Sequence, residues 1–172
     1  GRMVAKVLGY AETRVDRELR DGDILDFGRV RLRVIHLPGH TPGHSAFFWE
    51  ETGFAFLADI DLTDFGPWYG NPVSDPVAFA DSIRKVIALN ARVVATGHIE
   101  PISNDIPRRL QDYLQIIERR DAQILAMLEG GRTLDELVDL KPIYGRHAEP
   151  AELYRMFETM MVQKHLEKLQ GE

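Results

Sequence analysis

Three short apolar runs in this chain each stop at an imidazole or a carboxylate, and that recurrence constrains the fold more than any other feature. From Arg29 to Ile35, Arg alternates with Val and Leu, the period of two of a half-buried strand. That run leads into His36-Leu37-Pro38-Gly39-His40-Thr41-Pro42-Gly43-His44-Ser45. Pro and Gly on both sides of His40 force a tight loop, so its imidazole is held at a strand end rather than inside a sheet. Phe54-Ala55-Phe56-Leu57 stops at Ala58-Asp59-Ile60-Asp61, and Val93-Val94-Ala95 stops at Thr96-Gly97-His98. Imidazole and carboxylate are ligands for Zn²⁺ and similar ions. Positions 40, 59 and 98 are too far apart for one helix or loop to join them. A sheet does so by aligning the ends of its strands.

The rest of the pattern supports a mixed α+β fold. Ala46–Trp49 and Phe54–Leu57, split by Glu50-Glu51-Thr52-Gly53, read as a hairpin. Asp75-Pro76 reads as a helix cap, with Phe79, Ile83, Val86 and Ile87 at helical spacing and Asn90 as the stop. Leu110, Leu114, Ile117, Ile124 and Leu128 line a helix over 105–129 that ends at Gly130-Gly131. Thr133-Leu134-Asp135-Glu136 is a capping box. A last helix over 150–169 carries Leu153, Phe157, Met160, Met161 and Leu169 toward a core.

Composition removes several classes. Zero Cys excludes disulfides, thiolate metal sites and a Cys nucleophile. Lys+Arg 21 against Asp+Glu 27 gives net −6, and the part from Asp105 onward is acidic as well, so no nucleic-acid partner is expected. No run approaches the roughly 18 apolar residues of a membrane span. Gly1-Arg2-Met3 opens no signal-peptide core, and a cytoplasmic protein without a membrane partner is the expectation.

Taken singly, a Gly-His or a strand-terminal Asp is an ordinary turn or core residue. In combination, order and flanks resemble the metallo-β-lactamase-fold hydrolases, and the glyoxalase II-like members above all. Leu37-Pro38-Gly39-His40-Thr41-Pro42-Gly43-His44 is similar to the third metal motif of that family. Phe56-Leu57-Ala58-Asp59 is similar to the fourth, and Thr96-Gly97-His98-Ile99-Glu100-Pro101-Ile102 to the fifth. The resemblance implies that His40 binds one ion, His98 a second, and Asp59, the catalytic carboxylate of the set, bridges both. It implies zinc, with iron or manganese also suited to such ligands. His44 matches a family histidine that shapes the loop without binding metal. It is grouped with Asp61, Trp68 and Tyr69 as candidate substrate-pocket residues, and Asp64 lies in the same candidate pocket loop after Asp59.

The chain departs from the family pattern at three places. Ala58 stands where Gly is usual, and Ile99 where a Gly commonly follows the histidine. The His-x-His-x-Asp-His motif is absent: the histidines are 36, 40, 44, 98, 147 and 165, and no two lie two apart. Each ion then keeps two ligands from this chain, below the three or four that hold zinc firmly. Weak or no metal binding and no activity are expected of the chain alone. The expected fold is α+β: residues 1–103 form the second half of an αβ/βα metallo-β-lactamase sandwich, and 104–172 a small helical, winged-helix-like appendage. Without the first half, the inner sheet face needs cover from that half or from a second copy. The function expected of the parent protein is metal-dependent hydrolysis of a small-molecule ester, thioester or related bond. The alternative is a non-catalytic interaction or nucleic-acid-binding module on the same fold.

Overall fold

The alternation around Leu32 and Val34 folds as a strand, and its neighbours are added one hairpin at a time. The computed structural model describes residues 14–146 and 149–170; His147 lies outside them. The five strands are β1 (Ile24–Asp26), β2 (Arg31–His36), β3 (Ser45–Trp49), β4 (Phe54–Phe56) and β5 (Val93–Ala95), in that order across one sheet. β1 to β4 pair antiparallel in succession, while β4 and β5 pair parallel. It follows that β2, β4 and β5 run the same way and their C-terminal ends meet at one end of the sheet. His40 follows β2, Asp59 follows β4 and His98 follows β5. Topology alone brings the three together.

The parallel return from β4 to β5 is made by α1 (Pro76–Ala88). Asp75 caps it by accepting from the Val77 and Ala78 amides, with Pro76 at the start. Its buried face is Phe79, Ile83 and Val86. Register places Ile35, Ala46, Phe48, Ala55 and Val94 on one sheet face. All five are buried in the same core cluster as the α1 face. The opposite face carries Phe47, Trp49, Phe54 and Phe56. The first three are only half-buried and Phe56 is 37% exposed.

The remainder is α2 (Ile106–Glu129), α3 (Leu134–Leu140) and α4 (Ala151–Gln170). Among the described residues after 104 there are helices and no strand. The expected stripe on α2 holds at Leu110, Leu114, Ile117 and Ile124, but it also contains two polar members, Tyr113 and Arg120. The capping box of α3 forms as read, with Thr133 and Glu136 exchanging side-chain and backbone bonds. On α4 the expected burial of Leu153 is corrected: it is 41% exposed. The buried stripe is Glu158, Met161, Val162 and His165, and Leu153 projects well round the helix from its centre. One core cluster runs from Ile35 through Ile106 and Leu110 to Met161 and Val162, so the helices and the sheet share it. No helix of the described residues is long and apolar enough to cross a membrane.

Candidate metal centre

The loop between β2 and β3 is held from α1 and the residues just before it. Ser82 Oγ donates to the Pro38 carbonyl at 2.6 Å, and Ser74 Oγ and Asn71 Nδ2 donate to the His40 carbonyl at 2.8 and 3.1 Å. The Asp75 amide donates to the Gly39 carbonyl at 2.8 Å. Gly39 has φ +135, and a Cβ there would sit 2.3 Å from the Phe79 Cα. The loop reaches the helix so closely only because Gly39 has no side chain.

Within the site, His40 Nδ1–H donates to the Trp68 carbonyl at 2.9 Å. That bond fixes the tautomer and leaves Nε2 facing Asp59 Oδ2 at 3.7 Å. His98 Nε2 lies 3.3 Å from the other oxygen, Asp59 Oδ1. Two imidazoles thus address two oxygens of one carboxylate. Among the described residues no group of three or more His, Cys, Asp or Glu is placed to hold a single ion. The arrangement instead sets two imidazoles against one shared carboxylate, Asp59. Its donor set fits a pair of borderline cations, with a carbonyl orienting the His40 ring from behind.

A cleft of about 420 Å³ opens over these residues and is completed by Asp61, Thr63, Phe65 and Trp68. Asp61 Oδ1 accepts from Tyr113 Oη at 2.9 Å and from the Thr63 hydroxyl and amide, both at 3.1 Å. Burial, with the Asp61 charge beside it, holds the Tyr113 phenol well above the usual tyrosine range. Trp68 is held by its Nε1–H, which donates to Tyr144 Oη at 3.0 Å. Tyr144 follows α3, so the helical part reaches the cleft wall through it.

Three sequence candidates fall outside the cleft. His44 is buried: Nδ1–H donates to the Leu37 carbonyl at 2.9 Å, and Nε2 accepts the Asp59 amide at 3.1 Å. Burial holds its pKa below the ordinary histidine value. It sets the Asp59 turn, and with both ring nitrogens engaged it does not line the pocket. Tyr69 is 0% exposed, its hydroxyl 2.6 Å from His165 Nε2 and 3.1 Å from Arg120 Nη1. The chain turns inward after Trp68, so Tyr69 is a core residue with a pKa pushed up to about 12 by burial. Asp64 is exposed and does not line the cleft either. Thr63 and Phe65 belong to the cleft and were not singled out, although they lie between Asp61 and Trp68 in the same loop.

The two departures near these candidate residues have different outcomes. Ala58 adopts φ +49, the left-handed region where Gly is unstrained. Ile99 is partly buried against the core.

Residues 3–98 match the family model described as "Metallo-beta-lactamase superfamily". The chain belongs to the metallo-beta-lactamase superfamily. Within it, a protein named hydroxyacylglutathione hydrolase from Chelativorans sp. is 35% identical over 91 residues, covering 52% of this chain and 35% of that protein. The lactamase-like protein aptB of Emericella nidulans is 28% identical over 133 residues, covering 71% of this chain and 41% of that one. A crystal structure of a metallo-beta-lactamase family protein from Thermus thermophilus superposes with TM-score 0.76 at 28% identity. It covers 99% of this chain and 58% of its own. This superfamily chain therefore spans between about a third and three fifths of the relatives it matches. The Thermus likeness extends over the helical part as well as the sheet.

Proposed function

We propose that this chain is the C-terminal part of a metal-dependent hydrolase acting on ester or thioester bonds, with His40, Asp59 and His98 as its share of a two-ion site. The observation that carries the reading is the convergence of two imidazole Nε2 atoms on different oxygens of Asp59. The name of the Chelativorans relative, hydroxyacylglutathione hydrolase, supports the substrate class. When bound, zinc or a comparable cation lowers the pKa of water toward 7 and polarises a carbonyl. The chain's own residues prepare the place for that chemistry. The Trp68 carbonyl keeps the proton of His40 on Nδ1. His44 fixes the Asp59 amide, and Tyr113 with Thr63 fixes Asp61 beside the cleft. Phe65 and Trp68 form an apolar wall that limits water and orients a small substrate.

Two ligands per ion do not hold zinc firmly, so the remaining ligands belong to a segment preceding this chain in the parent protein. The aromatic face of Phe47, Trp49, Phe54 and Phe56 is where that segment, or a second copy, packs. The test is thioester hydrolysis by the parent-length protein with and without added Zn²⁺. Metal-dependent turnover that falls by about 10²- to 10³-fold in Asp59→Asn, as for loss of a central electrostatic group, is the expected result. Turnover that survives that change contradicts the assignment.

A further inference from the structure

Arg119 and Arg120 are adjacent in the sequence, and the structure separates them. Arg119 is exposed, whereas Arg120 is 5% exposed and lies in the buried stripe of α2 between Ile117 and Ile124. Its guanidinium sits 4.8 Å from the Phe65 ring centroid and 5.6 Å from that of Tyr69. Nη2 donates to the Phe65 carbonyl at 2.6 Å; Nη1 donates to the Pro67 carbonyl at 2.7 Å and to Tyr69 Oη at 3.1 Å. These contacts grip the backbone before Trp68 and the side chain after it. Between them lies the Trp68 carbonyl that accepts the His40 Nδ1–H bond.

We infer that Arg120 is a positioning residue for His40, acting through the 65–69 loop. A fork of planar donors holds two carbonyls and a phenol at once, and its flat face packs on Phe65. A lysine has the charge but not the fork. The phenol is itself anchored, because Tyr69 O–H donates to His165 Nε2 while His165 Nδ1–H donates to Asp121 at 2.6 Å. Lys168 holds the second Asp121 oxygen. The orientation of His40, at one end of the sheet, is thereby tied to the packing of α2 on α4. The inference rests on the reading of His40 as a ligand, since an oriented Nε2 matters only where something is to be bound.

The test compares Arg120→Met and Arg120→Lys with Ile124→Ala, a core truncation one turn along the same helix stripe that removes no polar contact to the 65–69 loop. The first readout is the solvent-exchange rate and ring ¹⁵N shifts of the His40 Nδ1–H group in the metal-free 172-residue chain. Both Arg120 variants are expected to speed exchange at least about tenfold and to mix the tautomers, as expected when a ligand loses its orienting shell. Ile124→Ala leaves both signals in place. If the folded Arg120→Lys protein keeps the wild-type exchange rate and tautomer, or if Ile124→Ala disturbs them equally, the inference is overturned. The second readout is Zn²⁺ affinity in the parent-length protein, expected to fall roughly 10- to 100-fold with Arg120→Lys. If the wild-type parent binds no metal, the hydrolase reading fails, while the metal-free readout still decides the role of Arg120.

Discussion

Replacing Gly39 by Ala tests how the fold delivers His40 to the site. An added Cβ would lie 2.3 Å from the Phe79 Cα and 2.4 Å from its nitrogen, both backbone atoms in the first turns of α1. Ordinary carbon contact begins near 3.5 Å, so loop and helix must separate by about 1 Å. Overpacking of that kind costs about 1–3 kcal/mol. The φ of +135 at this position adds about 1–3 kcal/mol for any residue with a side chain. The sum centres near 3.5 kcal/mol after the roughly 0.5 kcal/mol returned by a stiffer unfolded chain. For a chain of this size that lowers Tm by about 7–14 °C. The bonds from Ser82 to Pro38 and from Asp75 to Gly39 stretch with it, and His40 shifts away from Asp59. Gly43, in the same loop, is the control: a Cβ there meets nothing within 4 Å. Thermal unfolding followed by circular dichroism separates the two. Equal Tm shifts for Gly39→Ala and Gly43→Ala would refute the close-approach reasoning.

Other substitutions follow from single contacts. Ala58→Gly relieves φ +49 before Asp59, and the gain of about 1–2 kcal/mol exceeds the extra chain entropy of Gly by about 0.5–1 kcal/mol. Urea unfolding measures that gain, and a loss of stability counts against strain at this turn. Asp121 is pushed up by burial, but bonds from His165 and Lys168 outweigh that and hold its pKa below the ordinary value of 3.8. Its stabilising effect is therefore fully present above 3.8 and lost as pH falls through the depressed pKa. Asp121→Asn flattens that acid limb in melts taken from neutral pH downward; an unchanged limb means other carboxylates set it.

The parts of the fold legible in the sequence are those with local physical causes. Pro and Gly around His40, the Asp75-Pro76 cap and the Thr133 capping box each act within a few residues, and each forms as read. The strand ends carrying His40, Asp59 and His98 were legible because each short apolar run stops at Pro, Gly or Asp, whereas the parallel pairing of β4 with β5 that brings them together has no local cause. What escaped depends on contacts between distant segments. Tyr113 and Arg120 find their partners more than fifty residues away, in the loop after Asp59. Their spacing within the apolar stripe of α2 was the available signal, since a polar residue on a buried face needs a partner. Tyr69 was read with Trp68 because the two are adjacent, yet a turn of the backbone sends one to the cleft and the other to the core. His165 stood in a helix whose apolar residues suggested plain packing, and its two hydrogen bonds to Tyr69 and Asp121 have no local signature.

Metal content tests the central claim most directly: that His40, Asp59 and His98 are part of a two-ion site and not the whole of it. The measurement is elemental mass spectrometry on the 172-residue chain and on the parent-length protein, each purified without chelator. The account predicts far less than one ion per molecule in the former and about two in the latter. About two ions retained by the chain alone would contradict it, because the described residues offer each ion only two ligands.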